Sequence, residues 1–231
     1  MPEKELCFAF VFIFSKLNKV EFLMKMLRFL CLAPFVFFFS TEMALASEER
    51  AKGLYKTCLP CHGETGAGNE TLQAPAIAGM SEWYLVAQLK GFRKGARGRH
   101  HKDLAGMRMK PLADTLRDSD VPLIAKYVSK MPRQDHKETL TGGRVLKGEA
   151  AYAVCAACHG ADGRGVKASS GPDLTIPQDW YLLTQLKNFK SGIRGADPAK
   201  DPSGAIMAPM ASTLADEQAM KDIIRYIQSL R

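Results

Sequence analysis

Cys58-Leu59-Pro60-Cys61-His62-Gly63 returns 97 residues later as Cys155-Ala156-Ala157-Cys158-His159-Gly160. The same shift carries Pro75 onto Pro172, and WYLVAQLKGFRKGARG from Trp83 onto WYLLTQLKNFKSGIRG from Trp180. From Tyr55 to Gly98, 18 of 44 aligned positions are identical, too many for shared composition. Further on, single insertions widen the offset. MKPLADTL from Met109 meets MAPMASTL from Met207, and Tyr127 meets Tyr226. A period of this length means one folding unit written twice.

Each unit reads as helical. A short helix is predicted to lead into each Cys motif. A second spans about Ser81 to Lys94 and about Gln178 to Ser191, with Trp, Leu and Phe at helical spacing. A last helix begins near Asp118 or Asp216 and carries Ile124, Tyr127 and Val128, or Ile223, Ile224 and Ile227. Nothing alternates with period two, so few strands are expected, and the connections are rich in Gly and Pro. The fold class is therefore mainly α. Pro132 and Gly142-Gly143 mark irregular chain between the copies, which places the domains at 47–137 and 138–231. Units of roughly 90 residues with so much loop have small cores and need a staple or a cofactor.

Residues 1–46 read as a leader. Lys25 and Arg28 precede an apolar run from Phe29 to Phe39, and Ala44-Leu45-Ala46 forms an A-x-A cleavage site. The true start is expected at Met24 or Met26; a double leader or a retained anchor is the alternative. Neither this run nor the earlier one from Leu6 to Phe14 reaches the roughly 18 residues of a spanning helix. Export to the periplasm follows, and the mature chain keeps four of the six Cys. With 46% hydrophobic and 24% charged residues, the composition excludes a wholly disordered chain.

The chemistry lies in C-x-x-C-H. Two thiols three residues apart on one turn, with His next, form the attachment signature of haem c. The thiols can add to two vinyl groups of one porphyrin, and the His can reach the iron. A thioredoxin-like pair would need a βαβ setting. A zinc ribbon would put its second pair about 15–20 residues on, whereas Cys61 and Cys155 are 94 apart. Structural disulfides would not explain the recurring His. Two covalent haem c groups are thus expected, on Cys58 and Cys61 and on Cys155 and Cys158, with His62 and His159 on the irons.

The sixth ligand separates a carrier from an enzyme, and low-spin haems commonly take Met there. Met109 lies 47 residues after His62 and Met207 lies 48 after His159. Met107, Met210 and Met80 face Ala205, Leu112 and Pro177, so only the Met109/Met207 pair recurs. Pro75 and Pro172 lie 13 residues after their His. Their carbonyls could accept the Nδ1 proton, or they could be plain turn prolines. Tyr55 with Tyr127 and Tyr152 with Tyr226 read as helix-crossing contacts. Trp83 and Trp180 read as core, with a place beside the haem as the alternative. Arg97 and Arg194 could meet propionates or be solvated loop charges. His100, His101 and His136 have no counterparts and read as surface residues.

The two CxxCHG motifs, WYL-x-x-QLK-x-F-x-x-G-x-R in both halves and the M-x-P-[LM]-A-x-T-L segment resemble the tandem dihaem class I cytochromes c, the cytochrome c4 family. The likeness covers nearly all of the chain after the leader. It implies two cytochrome c folds related by pseudo-twofold symmetry, His/Met iron in both, and electron transfer in the periplasm. One departure is visible: Ala51 stands where the second copy has Gly148, at a helix crossing where the likeness leads one to expect Gly.

With both iron faces capped, no substrate could coordinate, so an electron carrier rather than an enzyme is expected. It would pass single electrons between respiratory partners, for example from a cytochrome bc complex or a dehydrogenase to a terminal oxidase. The alternative is the cytochrome subunit of a sulfide or alcohol dehydrogenase complex. A peroxidase would need a vacant iron position. No GxSxG, HExxH or phosphate loop occurs. Residues 47–137 carry 16 basic and 10 acidic side chains, and residues 138–231 carry 11 and 10. Eight basic residues and one acidic residue fall between Lys90 and Lys110. This bias suggests docking of the first domain on an acidic surface of a membrane oxidase or reductase; an ordinary solvated basic loop is the alternative. Nucleic acid is not an expected partner.

Overall fold

In the computed structural model, residues 45–231 are described. Almost all of the leader read at 1–46, with its start at Met24 or Met26, lies outside them. Of the stretch Met1–Glu49, a unit apart from Arg50–Arg231, only 45–49 is described, and it is helical.

The first copy holds α1 (45–55), α2 (Leu59–His62), α3 (Glu82–Arg93), α4 (Leu104–Asp114) and α5 (Asp120–Ser129). The second holds α6 (Val145–His159), α7 (Asp179–Lys190), α8 (Pro202–Ser212) and α9 (Glu217–Ser229), with a 3-10 turn at Lys167–Ser169. Among the described residues, extended pairing is limited to the isolated bridges Asn69–Ala74 and Val166–Gly171. The mainly helical reading therefore holds. Packing repeats with the sequence: α3 lies on α4 and α5, and α7 lies on α8 and α9.

Two departures from the sequence reading have local causes. The helix entering the second motif is one unbroken run, whereas the first is interrupted between α1 and α2. Pro60 has no N–H to donate and sits at the start of α2. The chain before it tightens, with Lys56, Thr57 and Cys58 N–H groups bonded three residues back, to Gly53, Leu54 and Tyr55 carbonyls. The Met segments, read as irregular because of their Gly and Pro, are helices α4 and α8. Asp103 caps α4 by accepting from Gly106 N at 3.0 Å, and Asp201 caps α8 by accepting from Gly204 N at 2.9 Å. Pro111 and Pro209 lie inside these helices.

The last helices differ in their starts. Asp216 caps α9 through Ala219 N at 2.8 Å. Asp118 caps nothing and instead pairs with Arg93. The core of the first copy gathers Tyr55, Leu85, Val121, Ile124 and Val128, and Ile176 of the second copy joins it. The second core gathers Tyr152, Leu182, Leu183, Met220, Ile223 and Ile224. Tyr55 meets Tyr127 at 5.7 Å between ring centres and Tyr152 meets Tyr226 at 5.3 Å, the crossing contacts read from the repeat.

At the second crossing the helices all but touch. A Cβ on Gly148 would fall 1.9 Å from the Asp222 carbonyl oxygen, on α9. Ala51 takes this place in the first copy and is buried, so that crossing leaves room for a methyl group.

Candidate functional site

Each Cys motif ends at a buried His followed by a Gly with φ of 75° (Gly63) or 78° (Gly160). That left-handed turn suits glycine and swings the chain away after the His. The Gly63 carbonyl accepts from the Tyr55 hydroxyl at 2.7 Å, and the Gly160 carbonyl accepts from Tyr152 at 3.0 Å. His62 Nδ1 lies 2.8 Å from the Pro75 carbonyl, and His159 Nδ1 lies 2.8 Å from the Pro172 carbonyl. Only a donating Nδ1–H can bond a carbonyl, so Nε2 carries the lone pair. Burial lowers the pKa of both His, opposed by the carbonyl bond, and the neutral ring is the ligating form. The prolines are therefore more than turn residues.

Cys58, Cys61, Cys155 and Cys158 are free thiols. Burial pushes Cys58 up to about 11 and raises Cys155. Redox-active CxxC pairs instead depress a thiol pKa, so the environment argues against disulfide-exchange chemistry.

In the first copy an apolar cavity of about 210 Å³ is lined by Cys58, Cys61 and His62 on one side of the sequence and by Met109 and Leu112 of α4 on the other. Met80 also lines it, but Met107 does not and is exposed, as is Met210. Met109 and Met207 are both half-buried. Tyr181 and Gln185 of the second copy complete the wall.

Arg97 and Arg194 are buried rather than loop charges. Each guanidinium lies over a Phe of its own copy, at 4.3 Å from the Phe92 centre and 4.5 Å from that of Phe189. Their bonds cross the copies. Arg97 donates to Gln88 at 2.8 Å and to Tyr181 at 3.3 Å. Arg194 donates to Gln185 at 2.8 Å and to Gln88 at 2.9 Å. Both Nε atoms are buried without a hydrogen-bond partner, and neither Arg forms a close ion pair with a carboxylate among the described residues, Asp103 acting on Arg97 only at longer range. A buried cation without an anion is costly. Two such cations near a cavity lined by thiols, an imidazole and a thioether fit a group that brings its own carboxylates, as haem does.

Trp83 and Trp180 are half-buried and set edge-on to Tyr84 and Tyr181 at 5.8 and 5.9 Å, outside both cores. Trp83 does not line the cavity. His100 and His101 stack at 4.6 Å. His136 is not a plain surface residue: it is half-buried, and Nε2 has no hydrogen-bond partner. Of the basic run, Lys90, Lys94, Arg99 and Lys102 are exposed, whereas Arg93 and Lys110 pair with Asp118 and Asp114. Among the described residues, no helix is long and apolar enough to cross a membrane. The Gln residues of the crossed network escaped the sequence reading. Their recurrence at 88 and 185 inside QLK was a usable signal.

Comparison with known proteins agrees with this geometry. The cytochrome c family model matches twice, over residues 48–132 and 145–231. The thiosulfate dehydrogenase electron acceptor of Thiomonas intermedia (strain K12) is 31% identical over 172 residues, 70% of this chain and 73% of that protein. Cytochrome c4 of Azotobacter vinelandii is 29% identical over 209 residues, 82% of this chain and 93% of the relative. The crystal structure of reduced recombinant cytochrome c4 from Pseudomonas stutzeri superposes with a TM-score of 0.61 at 26% identity, covering 79% of this chain and 98% of that one.

Proposed function

The chain belongs to the cytochrome c family, as a tandem, c4-like electron-transfer protein with two covalently bound haem c groups, and from that premise we propose its residue roles, location and partners. Cys58 and Cys61 tether one haem and Cys155 and Cys158 the other. His62 and Met109 cap the first iron, His159 and Met207 the second. The observation that carries this reading is the shared cavity. Thiols, an Nε2 freed by the Pro75 carbonyl, and the Met109 thioether converge on one apolar space.

When bound, the haem supplies reversible one-electron chemistry at iron. The residues supply the rest. His62 and His159 are held as neutral donors by the proline carbonyls. The apolar walls exclude water. Arg97 and Arg194, buried between the copies, would neutralise the haem carboxylates. With a His and a Met both held to each iron, no position would be left for a substrate, and exchange with partners would be outer-sphere.

The protein acts in the periplasm, with domains at 47–137 and 138–231 behind a leader. It relays electrons from a bc complex or a dehydrogenase to a terminal oxidase. The exposed Lys90, Lys94, Arg99 and Lys102 form the face for an acidic partner. A second reading has a specific observation behind it: the Thiomonas relative is named as the electron acceptor of a thiosulfate dehydrogenase. This chain would then serve a dehydrogenase directly. Spectra of the purified protein test the site. Two haems per chain and the weak long-wavelength band of thioether ligation are expected; a colourless protein or a high-spin iron defeats the assignment. Rapid reduction by a partner dehydrogenase, against slow reduction by a bc complex, would separate the two partners.

A further inference from the structure

The segment Thr175 to Gln178 belongs to the second copy by sequence and lies against the first. Ile176 is buried in the first core. The strap is fixed from behind, because Arg231 donates to the Thr175 and Pro177 carbonyls at 2.9 and 2.6 Å. Gln178 stands at the N-cap of α7, yet its side chain does not cap that helix. It turns into the first copy, 8% exposed, and uses both ends of its amide. Nε2 donates to the Ala67 carbonyl at 2.8 Å, and Oε1 accepts from Ala76 N–H at 2.8 Å.

Ala76 N–H is the other end of the peptide group whose oxygen, on Pro75, accepts from His62 Nδ1. One peptide therefore joins the two hydrogen bonds in series: His62 donates to its carbonyl while its N–H donates to Gln178. Hydrogen bonds in such a chain polarise one another. A carboxamide oxygen on the N–H makes the carbonyl a better acceptor, and a better acceptor gives the imidazole more electron density. The second copy lacks this arrangement. Ser81 occupies the position of Gln178, and Asp173 N–H, which follows Pro172, has no side-chain partner among the described residues.

We propose that Gln178 is a positioning residue by which the second copy tunes the first iron: through the Pro75–Ala76 peptide it strengthens His62 as a ligand and lowers the potential of the first haem, with no reciprocal device acting on the second. The proposal rests on the assignment of His62 as an iron ligand. More electron density from the axial imidazole favours the ferric state, so the hydrogen-bond chain works toward a lower potential.

The test is a spectroelectrochemical titration of the full chain carrying both haems, wild type against Gln178→Leu and Gln178→Glu. NMR of the oxidised protein assigns the axial-ring signals to His62 and His159. Gln178→Leu removes the acceptor and is expected to move one titration wave to more positive potential, with the His62 signals shifted and those of His159 unmoved. Superimposable waves, a shift confined to His159, or a move to more negative potential overturns the proposal. The last is what simple entry of water beside the haem would produce. If Gln178→Leu does not hold both haems, Gln178→Glu decides, because it keeps an acceptor on Ala76 N–H. The same wave is then expected to stay or to move negative, and a positive shift overturns the idea. A wild-type protein without two haems or without His62 on an iron defeats the ligand assignment instead, and that failure shows in the spectra before any titration.

Discussion

The two copies agree closely where they would touch a haem and differ in how several of the surrounding elements are braced. The His Nδ1 to proline carbonyl distance is 2.8 Å in both, and the Tyr hydroxyl to Gly carbonyl bond is 2.7 Å in one and 3.0 Å in the other. Around this shared frame the scaffolds differ: an interrupted entry helix against a continuous one, an Ala crossing against a Gly crossing, Ser81 against Gln178. Even the ion pairs that tie entry helix to last helix are not homologous. Arg50 meets Asp120 in the first copy, while Arg144 meets Asp222 at 2.6 Å in the second, at unrelated positions of the repeat. Geometry set by the ligand survives divergence; the means of bracing it are interchangeable.

The sharpest way to break the equivalence is at the sixth ligand. Met109→Ala and Met207→Ala are each expected to uncap one iron, so that cyanide binds one equivalent per chain where the parent protein resists it. A protein in which Met107→Ala does this and Met109→Ala does not would refute the pairing.

The crossings come next. Gly148→Ala forces a methyl group into the Asp222 backbone and is expected to cost about 3 kcal/mol or more, as overpacking does when neither wall can give. Ala51→Gly at the matching site should cost only about 1 kcal/mol, through backbone freedom. Denaturant unfolding of the two variants measures the contrast, and equal losses would mean the crossings are alike after all.

A smaller effect separates the charged faces. Lys94→Glu with Lys102→Glu is expected to slow electron exchange with an acidic partner by about tenfold at low salt, with the loss fading as salt rises. A double charge reversal on the exposed surface of the second copy, Arg164→Glu with Lys167→Glu, should leave the rate nearly unchanged. Rates insensitive to ionic strength in both would remove the docking assignment.

The smallest contrast is in acid. The hydrogen bond from Arg50 holds Asp120 at about 2, and that from Arg144 holds Asp222 at about 2, against about 4 for a free carboxylate. A depressed pKa in the folded state gives stability that is complete above about pH 4 and is lost as pH falls toward 2. Urea midpoints followed from pH 6 downward should decline in that window. Asp222→Asn should flatten the part of the decline that belongs to the second copy.

How much of this could be read from the chain depended on range. The haem motif is short because two thiols and an imidazole must meet one ring from one turn, so six residues carry it. The Met pair needed the duplication to single it out; Met109, with Met80, lines the cavity that also holds His62. The helices α4 and α8 were not expected because Gly and Pro mark the segments between the other helices as connections; the Asp103 and Asp201 caps start them, and Pro111 and Pro209 are accommodated inside them. Arg97 and Arg194 were singled out by their recurrence, and Gln88 and Gln185 recur as well, but the partners of these residues and of Gln178 were beyond sequence reading for another reason. They lie across the copies, and a bond such as that from Gln178 to Ala67 spans 111 residues. No local pattern announces it.

Tyr181 and Gln185 wall the cavity of the other copy, and Ile176 fills the other core. The two repeats have thereby become structurally dependent on each other. Cut between the copies, the front piece would be missing part of its own chamber, and the rear piece would bare an apolar strap with nothing to lie on. Packing thus ties the two copies together, and either one alone would first have to rebuild surfaces that its sibling now provides.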